Sequence, residues 1–444
     1  MTMSTSLDSR GVRTSNEVAP ALIVSSDGHA VAPMKEYRQY LPSSTHEEFD
    51  AFCEAYERDG LRVVQPESLL QRTDQDVVDQ WIETVFKPGR HEGQGNSERR
   101  LAELDREGVA AEVLFPDFGL PFELHPPLIA AIRGWSRPPE QVELANAAHN
   151  RWLADFCATA PARFAGLAVA SFVDVDATLA EIGWAKEAGL KGVVLPAFSE
   201  DLPLFHERFE PVWSLLEELE MPVNSHTAIS SITTHVASGT LKAVPHPACA
   251  APLMTAQAFF FCQQILGHFI WGGVLERHPK LQVVLTEQGS GWVIGAMRGM
   301  DYSWENSYLR RDVRQVVPRK PSEYFHRQVS LGSSLLSRAE AEARREIGVD
   351  KMALGVDYPH HEGTWGAGPG TSAWIQATLG AARVPEDEAR MILGENAIRV
   401  WQLDEPALRD VADRVGPAMS EILTPPSVDH FPRGDINKPL TSAW

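Results

Sequence analysis

A chain of 444 residues that is 43% hydrophobic and 23% charged has the make-up of a globular protein, with enough material for one large domain or two modest ones. Its formal net charge of −20, with no Lys/Arg cluster, argues against nucleic acid as a partner, because phosphate binding needs concentrated positive charge. The four cysteines, Cys53, Cys157, Cys249 and Cys262, stand far apart without CxxC spacing, which argues against a thiolate zinc site or a disulfide framework and fits a reducing, cytoplasmic setting.

Residues 1–18 are Ser/Thr-rich, lack the basic-then-apolar pattern of a signal peptide and read as a disordered lead. The first predicted strand, Leu22–Ser26, runs into Asp27-Gly28-His29. On an extended strand residues i and i+2 share a face, so the Asp27 carboxylate and the His29 imidazole converge. By itself a Ser-Asp-Gly sequence is also ordinary turn chemistry, so the pair gains meaning only if other strands end in matching groups.

Seven further strands are predicted at Ala110–Phe115, Phe164–Ala170, Gly192–Pro196, Pro222–His226, Gln282–Glu287, Val329–Gly332 and Met352–Val356. Most are near-continuous apolar runs, as expected of strands buried on both faces. Helical patterns such as Asp176–Ala188, Phe209–Leu219 and Ser337–Ile347 lie between them and are long enough for crossovers. The apolar stretch near Phe259–Val274 is broken by Gln263, Gln264 and His268, which argues against a membrane span. Eight βα units most economically close into an α/β fold of the (β/α)8 TIM barrel type. An open doubly wound sheet would be expected to show a Gly-rich phosphate turn, and neither GxGxxG nor GxxxxGK[ST] occurs.

The stretches 30–108 and 227–281, after strands one and five, exceed what one crossover needs and predict insertions that build a substrate pocket at the carboxyl face. Their aromatic and apolar content suggests a fairly large hydrophobic small-molecule substrate. The barrel domain is placed at 19–403, and 404–444, with its Glu-Pro, Thr-Pro-Pro and Phe-Pro-Arg-Gly segments, reads as an irregular C-terminal extension.

Barrel active sites are assembled at the carboxyl ends of the strands, and four of these ends carry donor groups. Strand one ends in Asp27 and His29, strand five in His226, strand six in Glu287 and strand eight in Asp357. Nitrogen and carboxylate donors suit a divalent ion such as Zn, Mn or Fe(II). Each has a plainer reading: a core histidine for His226, a helix N-terminal acid for Glu287, a turn before Pro359 for Asp357. All of those would have to hold together to remove the site. His360 is placed to orient a ligand or touch substrate, and Trp292 and Trp365 are candidate pocket walls. His361 is expected to be exposed and His268 to be core packing, while His235, His246 and His278 read as loop or surface residues. Gly289-Ser290-Gly291 lacks the GxSxG spacing of a nucleophile elbow, so a serine hydrolase is rejected.

In order along the chain, Ser25-Ser26-Asp27-Gly28-His29, then residues 272–281 (Gly-Gly-Val-Leu-Glu-Arg-His-Pro-Lys-Leu), then 285–292 (Leu-Thr-Glu-Gln-Gly-Ser-Gly-Trp), 355–360 (Gly-Val-Asp-Tyr-Pro-His) and 394–401 (Gly-Glu-Asn-Ala-Ile-Arg-Val-Trp) resemble the amidohydrolase-related branch of the amidohydrolase superfamily. The resemblance covers about residues 22–403. It implies a distorted barrel with one or two divalent metals, frequent homo-oligomers, and members that either hydrolyse amide, ester or related bonds or remove a carboxylate without redox chemistry. By that likeness Asp27 and His29 match the strand-one pair, His226 the strand-five ligand, and Asp357 a strand-eight residue that binds metal and accepts a proton.

Two departures stand out. Many superfamily hydrolases carry His-x-His on strand one and a bridging Lys or Glu after strand four, whereas this chain has Asp27 and Pro196-Ala197-Phe198, which disfavours a bridged two-metal centre. Decarboxylases of the branch typically carry His-x-Gly-Gly after strand six, where this chain has Glu287. A carboxylate in its ordinary range binds metal or deprotonates water better than it donates a proton, so the expectation is a metal-dependent hydrolase of an acyl bond: amide, ester or thioester. In that reading Asp27, His29, His226 and Glu287 hold the metal, and Asp357 takes the water proton. The alternative is a metal-dependent non-oxidative decarboxylase of an aromatic or unsaturated acid.

Overall fold

The computed structural model describes residues 19–59, 64–70, 73–123, 137–196, 198, 201–227, 249–306, 310–366 and 370–426. The lead at 1–18 therefore lies outside the described residues, as do His235 and His246.

Eight parallel strands form one sheet in sequential order. They are β1 (Ile23–Ser25), β2 (Val109–Leu114), β3 (Phe164–Val169), β4 (Gly192–Val194), β5 (Val223–His226), β6 (Val283–Thr286), β7 (Val329–Ser334) and β8 (Met352–Gly355). Every strand residue is buried, which is why the sequence shows continuous apolar runs rather than alternation. The helices include α1 (His46–Asp59), α2 (Ser97–Glu107), α3 (Pro139–Ala158), α4 (Val175–Glu187), α5 (Glu210–Glu218), α6 (Ala250–Trp271), α7 (Trp292–Glu305), α8 (Pro321–Gln328) and α9 (Arg338–Ile347), each in a connection between consecutive strands. The architecture is the expected (β/α)8 barrel.

Local chemistry sets several boundaries. The Asn96 side chain accepts the Arg99 N–H at 2.9 Å to cap α2, and Gly108, at φ +73°, ends it. Ser337 and Glu340 form a reciprocal capping box on α9. Strand β7 runs two residues beyond its predicted end because Ser333 and Ser334 continue the ladder, with Ser334 opposite Gly355.

The barrel closes between β1 and β8 through Ser26 N–H to Leu354 O (2.8 Å), Asp357 N–H to Asp27 O (3.0 Å) and His29 N–H to Tyr358 O (2.7 Å). Closure is thus made by the segments that carry Asp27, His29 and Asp357. One apolar cluster joins the helices to the outer strand faces; a second, including Val24, Ala111, Val113, Leu167, Val284 and Ala353, continues into Trp401, Leu408 and Val411.

Residues 404–426 differ from the irregular tail expected there. They contain α10 (Glu405–Val415) and α11 (Met419–Ile422), and α10 buries Leu408, Val411 and Ala412. The Glu-Pro segment is helical because Pro406 sits in the first turn of α10, where its missing N–H costs nothing, and Asp404 caps Ala407 at 3.1 Å, whereas Phe-Pro-Arg-Gly and the rest of 427–444 lie outside the described residues. Of the two insertions, 30–108 carries α1 and α2, while 227–281 is described at Thr227 and from residue 249 on, the latter mostly as α6. No helix among the described residues is long and apolar enough to cross a membrane.

Candidate metal centre

The parallel register builds the site. His226 lies opposite Thr286, and Thr286 opposite Gly332, so Glu287 emerges one residue beyond the ladder beside His226. Glu287 and Asp357 adopt left-handed backbone conformations, φ +57° and +60°, which non-glycine residues accept at some cost and which turn both carboxylates out of the strand direction.

One ligand atom each from Asp27, His29, His226 and Glu287 lies within 4.8 Å of the others. His226 Nε2 is 3.2 Å from Asp27 Oδ1 and 3.0 Å from Glu287 Oε2, and His29 Nε2 is 3.6 Å from Asp27 Oδ1. Both imidazoles are aimed by their other nitrogen: His29 Nδ1 meets Pro116 O at 2.9 Å, and His226 Nδ1 meets Thr227 O at 2.8 Å. A carbonyl only accepts, so each Nδ1 carries the proton and each Nε2 faces the centre, the arrangement second-shell carbonyls impose on metal-binding histidines. Ser334 donates to Asp27 Oδ2. Gly355 leaves room for this contact, since a Cβ there would lie 2.4 Å from Ser334 Oγ and 2.8 Å from Asp27 Cβ.

Asp357 flanks the set, with Oδ1 3.4 Å from His29 Nε2 and 3.0 Å from His360 Nδ1. Neither of its buried oxygens makes a regular hydrogen bond, nor does His29 Nε2. Buried carboxylate oxygens in that state carry a desolvation penalty that a bound cation relieves, so the residues present fit a divalent ion.

The electrostatics agree with a site built around positive charge. Burial alone would raise the Asp27 carboxyl, but the charges of His226 and His29 and the bonds from His226 and Ser334 hold it below its ordinary range. Burial opposes charge on His226, yet Asp27 and Glu287 raise it well above the usual imidazole value. Glu287 is pushed up to about 7, mainly by burial, with His226 pulling it down and Asp357 pushing it up.

His360 is buried, stacks on His29 at 4.2 Å between ring centres and places Nε2 3.3 Å from Asp117 Oδ1. Asp117, lowered to about 2 despite its burial by His360 and His29, was not anticipated. It follows β2 in Val-Leu-Phe-Pro-Asp, so the test of strand ends that found the other donors would have found it too. Gln94, from the first insertion, donates to its second oxygen.

The remaining residues singled out in the sequence lie around this set. Trp365 is 2% exposed, packed on Tyr358 and Trp81, and its indole donates to His360 O at 2.9 Å, so it supports the His360 loop from beneath. Trp292 is partly buried and donates to Gly289 O at 2.9 Å. His268 lies in α6 between Phe198 and Phe205. His361, expected to be exposed, is partly buried beside Glu362, and His278, read as a loop or surface residue, is buried with Glu210 and Glu217 paired to its two ring nitrogens.

A parallel barrel with a cluster at its carboxyl face that could hold a metal ion defines a class of (β/α)8 enzymes. Within it the family is specific: the sequence model described as Amidohydrolase matches residues 96–403, more than half of the chain, which belongs to that family. A curated relative, gamma-resorcylate decarboxylase of Rhodococcus jostii, is 24% identical over 327 residues, covering 69% of this chain and 87% of its own. Among solved structures, an amidohydrolase from Mycobacterium avium subsp. paratuberculosis superposes with a TM-score of 0.63 at 21% identity over 87% of this chain and all of its own. The 5-carboxyvanillate decarboxylase of Novosphingobium aromaticivorans, solved with manganese and 4-hydroxy-3-methoxy-5-nitrobenzoic acid, superposes with a TM-score of 0.57 at 16% identity, covering 88% of this chain and 100% of its own.

The expectation of acyl-bond hydrolysis is overturned by two of these relatives, the curated one and the manganese-bound one, both of which are named decarboxylases. That expectation rested on Glu287 standing where the branch's decarboxylases carry a histidine, but a carboxylate that holds a metal leaves proton delivery to another group, so its presence does not select hydrolysis.

Proposed function

We propose that this chain is a metal-dependent non-oxidative decarboxylase of a small aromatic or unsaturated acid. The observation that carries the reading is the convergence of Asp27, His29, His226 and Glu287 on one point, flanked by Asp357, in a chain whose curated relative over 69% of its length is a decarboxylase. Asp27, His29, His226 and Glu287, with Asp357 beside them, would hold a divalent ion such as the manganese of the structural neighbour. Bound there, such an ion would supply Lewis-acid stabilisation of negative charge on the substrate.

The chain's own residues manage the proton. In this reading Asp357 would deliver a proton to the carbon that bears the carboxylate. A C–H bond forms there, the C–C bond to the carboxylate breaks with its electron pair left on the carbon, and CO2 departs. His360, 3.0 Å from Asp357 Oδ1 and held by Asp117, returns a proton to Asp357.

The test is elemental analysis of purified protein together with CO2 release from a panel of hydroxybenzoic acids, before and after chelation. Release of CO2 that stops with a chelator and returns with Mn2+ supports the reading. Turnover undiminished by complete metal removal, or oxygen from water appearing in a new carboxylate without CO2, refutes it.

A further inference from the structure

Behind the donor set lies a buried ion pair that no step above uses. Arg100, on α2 of the first insertion, and Glu112, on β2, are both completely buried, with Arg100 Nε 2.7 Å from Glu112 Oε2. The same guanidinium donates through Nη1 to His29 O at 2.8 Å and through Nη2 to Tyr358 O at 3.5 Å, and it lies 4.1 Å over the Tyr358 ring. His29 N–H in turn bonds Tyr358 O at 2.7 Å. One planar fork thus grips the backbone of both segments that carry donors, Asp27 to His29 and Asp357 to His360, at the seam where the barrel closes.

From this geometry we infer that Arg100 is a positioning residue for the metal centre, setting the spacing between the β1-end and β8-end donors from the insertion side. Arginine suits the task because its fixed fork can hold a carboxylate and two carbonyls at once, whereas a lysine ammonium has neither the reach nor the planarity. Gly28 is part of the device: a Cβ there would lie 2.1 Å from Glu112 Oε1 and 2.7 Å from Arg100 Nη2. Removing groups that orient first ligands typically weakens metal binding about 10- to 100-fold.

The inference rests on the metal-dependent reading above, and calorimetric titration of metal-free full-length protein with Mn2+ separates the two. Wild type, Arg100→Lys and the double variant Arg100→Met/Glu112→Met are compared. The double variant removes the carbonyl donors without leaving a buried charge unpaired, a replacement that buried pairs often tolerate. The expected result is a Kd for Mn2+ raised at least about 10-fold in whichever variant is folded by circular dichroism. A folded variant that binds Mn2+ within about twofold of wild type overturns the inference while the metal-dependent reading stands. Wild type that binds no Mn2+ overturns the reading and the inference with it.

Discussion

Adding one methyl group at Gly28 is expected to damage this protein well out of proportion to its size. The new Cβ would stand 2.1 Å from Glu112 Oε1, 2.4 Å from Glu112 Cδ and 2.7 Å from Arg100 Nη2, all well inside contact distance and all buried. Glu112 cannot swing away cheaply, because it is held by Arg100 at 2.7 Å and buried on strand β2. Forcing an extra carbon into a packed interior costs about 1–3 kcal/mol, and if the carboxylate is driven off its guanidinium the cost approaches the roughly 3–5 kcal/mol of a broken buried pair. Gly28→Ala should therefore lose about 2–4 kcal/mol, a large part of the roughly 5–15 kcal/mol by which proteins are stable. Equilibrium urea denaturation of metal-free wild type and variant, read by circular dichroism and tryptophan fluorescence, measures it. A loss under about 0.5 kcal/mol, the ordinary scatter of surface substitutions, would refute the packing argument.

Two further outcomes test the site itself. Asp357→Asn should keep bound metal, since Asp27, His29, His226 and Glu287 remain, while CO2 release falls about 10²- to 10⁴-fold through loss of the proton donor; full turnover in the metal-loaded variant would exclude Asp357 from that role. The pH dependence of metal-free protein should run downward from acid to neutral. Glu287 is raised from its ordinary value to about 7 and His226 is raised well above its own, so the folded state binds more protons than the unfolded chain, and their contribution fades as pH rises from about 4.5 through 7 and beyond. Mn2+ should reverse the trend, because these ligands bind metal deprotonated. Thermal denaturation at pH 6 and pH 8, with and without Mn2+, checks both signs, and a metal-free protein more stable at pH 8 would contradict the assignment.

Much of the architecture was legible because buried parallel strands advertise themselves. A run such as Phe164–Val169 is without a polar side chain from end to end, and turn residues mark where such runs stop. The donor residues were legible for a related reason, since a barrel brings the carboxyl ends of all its strands to one face. Less was visible where the deciding contact is remote in sequence. His278 looked like a loop histidine because nothing nearby reveals Glu210 and Glu217, and Trp365 looked like a pocket wall because its partners Trp81 and Arg90 come from the insertion. Asp117 was visible in principle and missed, because it lies beyond a proline at the end of β2.

By itself the sequence determined the eight βα units, their order, and the placing of Asp27, His29, His226, Glu287 and Asp357 at strand ends, because periodicity and side-chain type are local properties. Only the tertiary structure decided what those donors are chemically. Burying Glu287 between His226 and Asp357 moves its proton affinity, pairing His360 with Asp117 adds a second charged couple, and Arg100 locks two strand ends from behind. Those effects depend on desolvation and on distances between residues far apart in the chain, which no local pattern encodes.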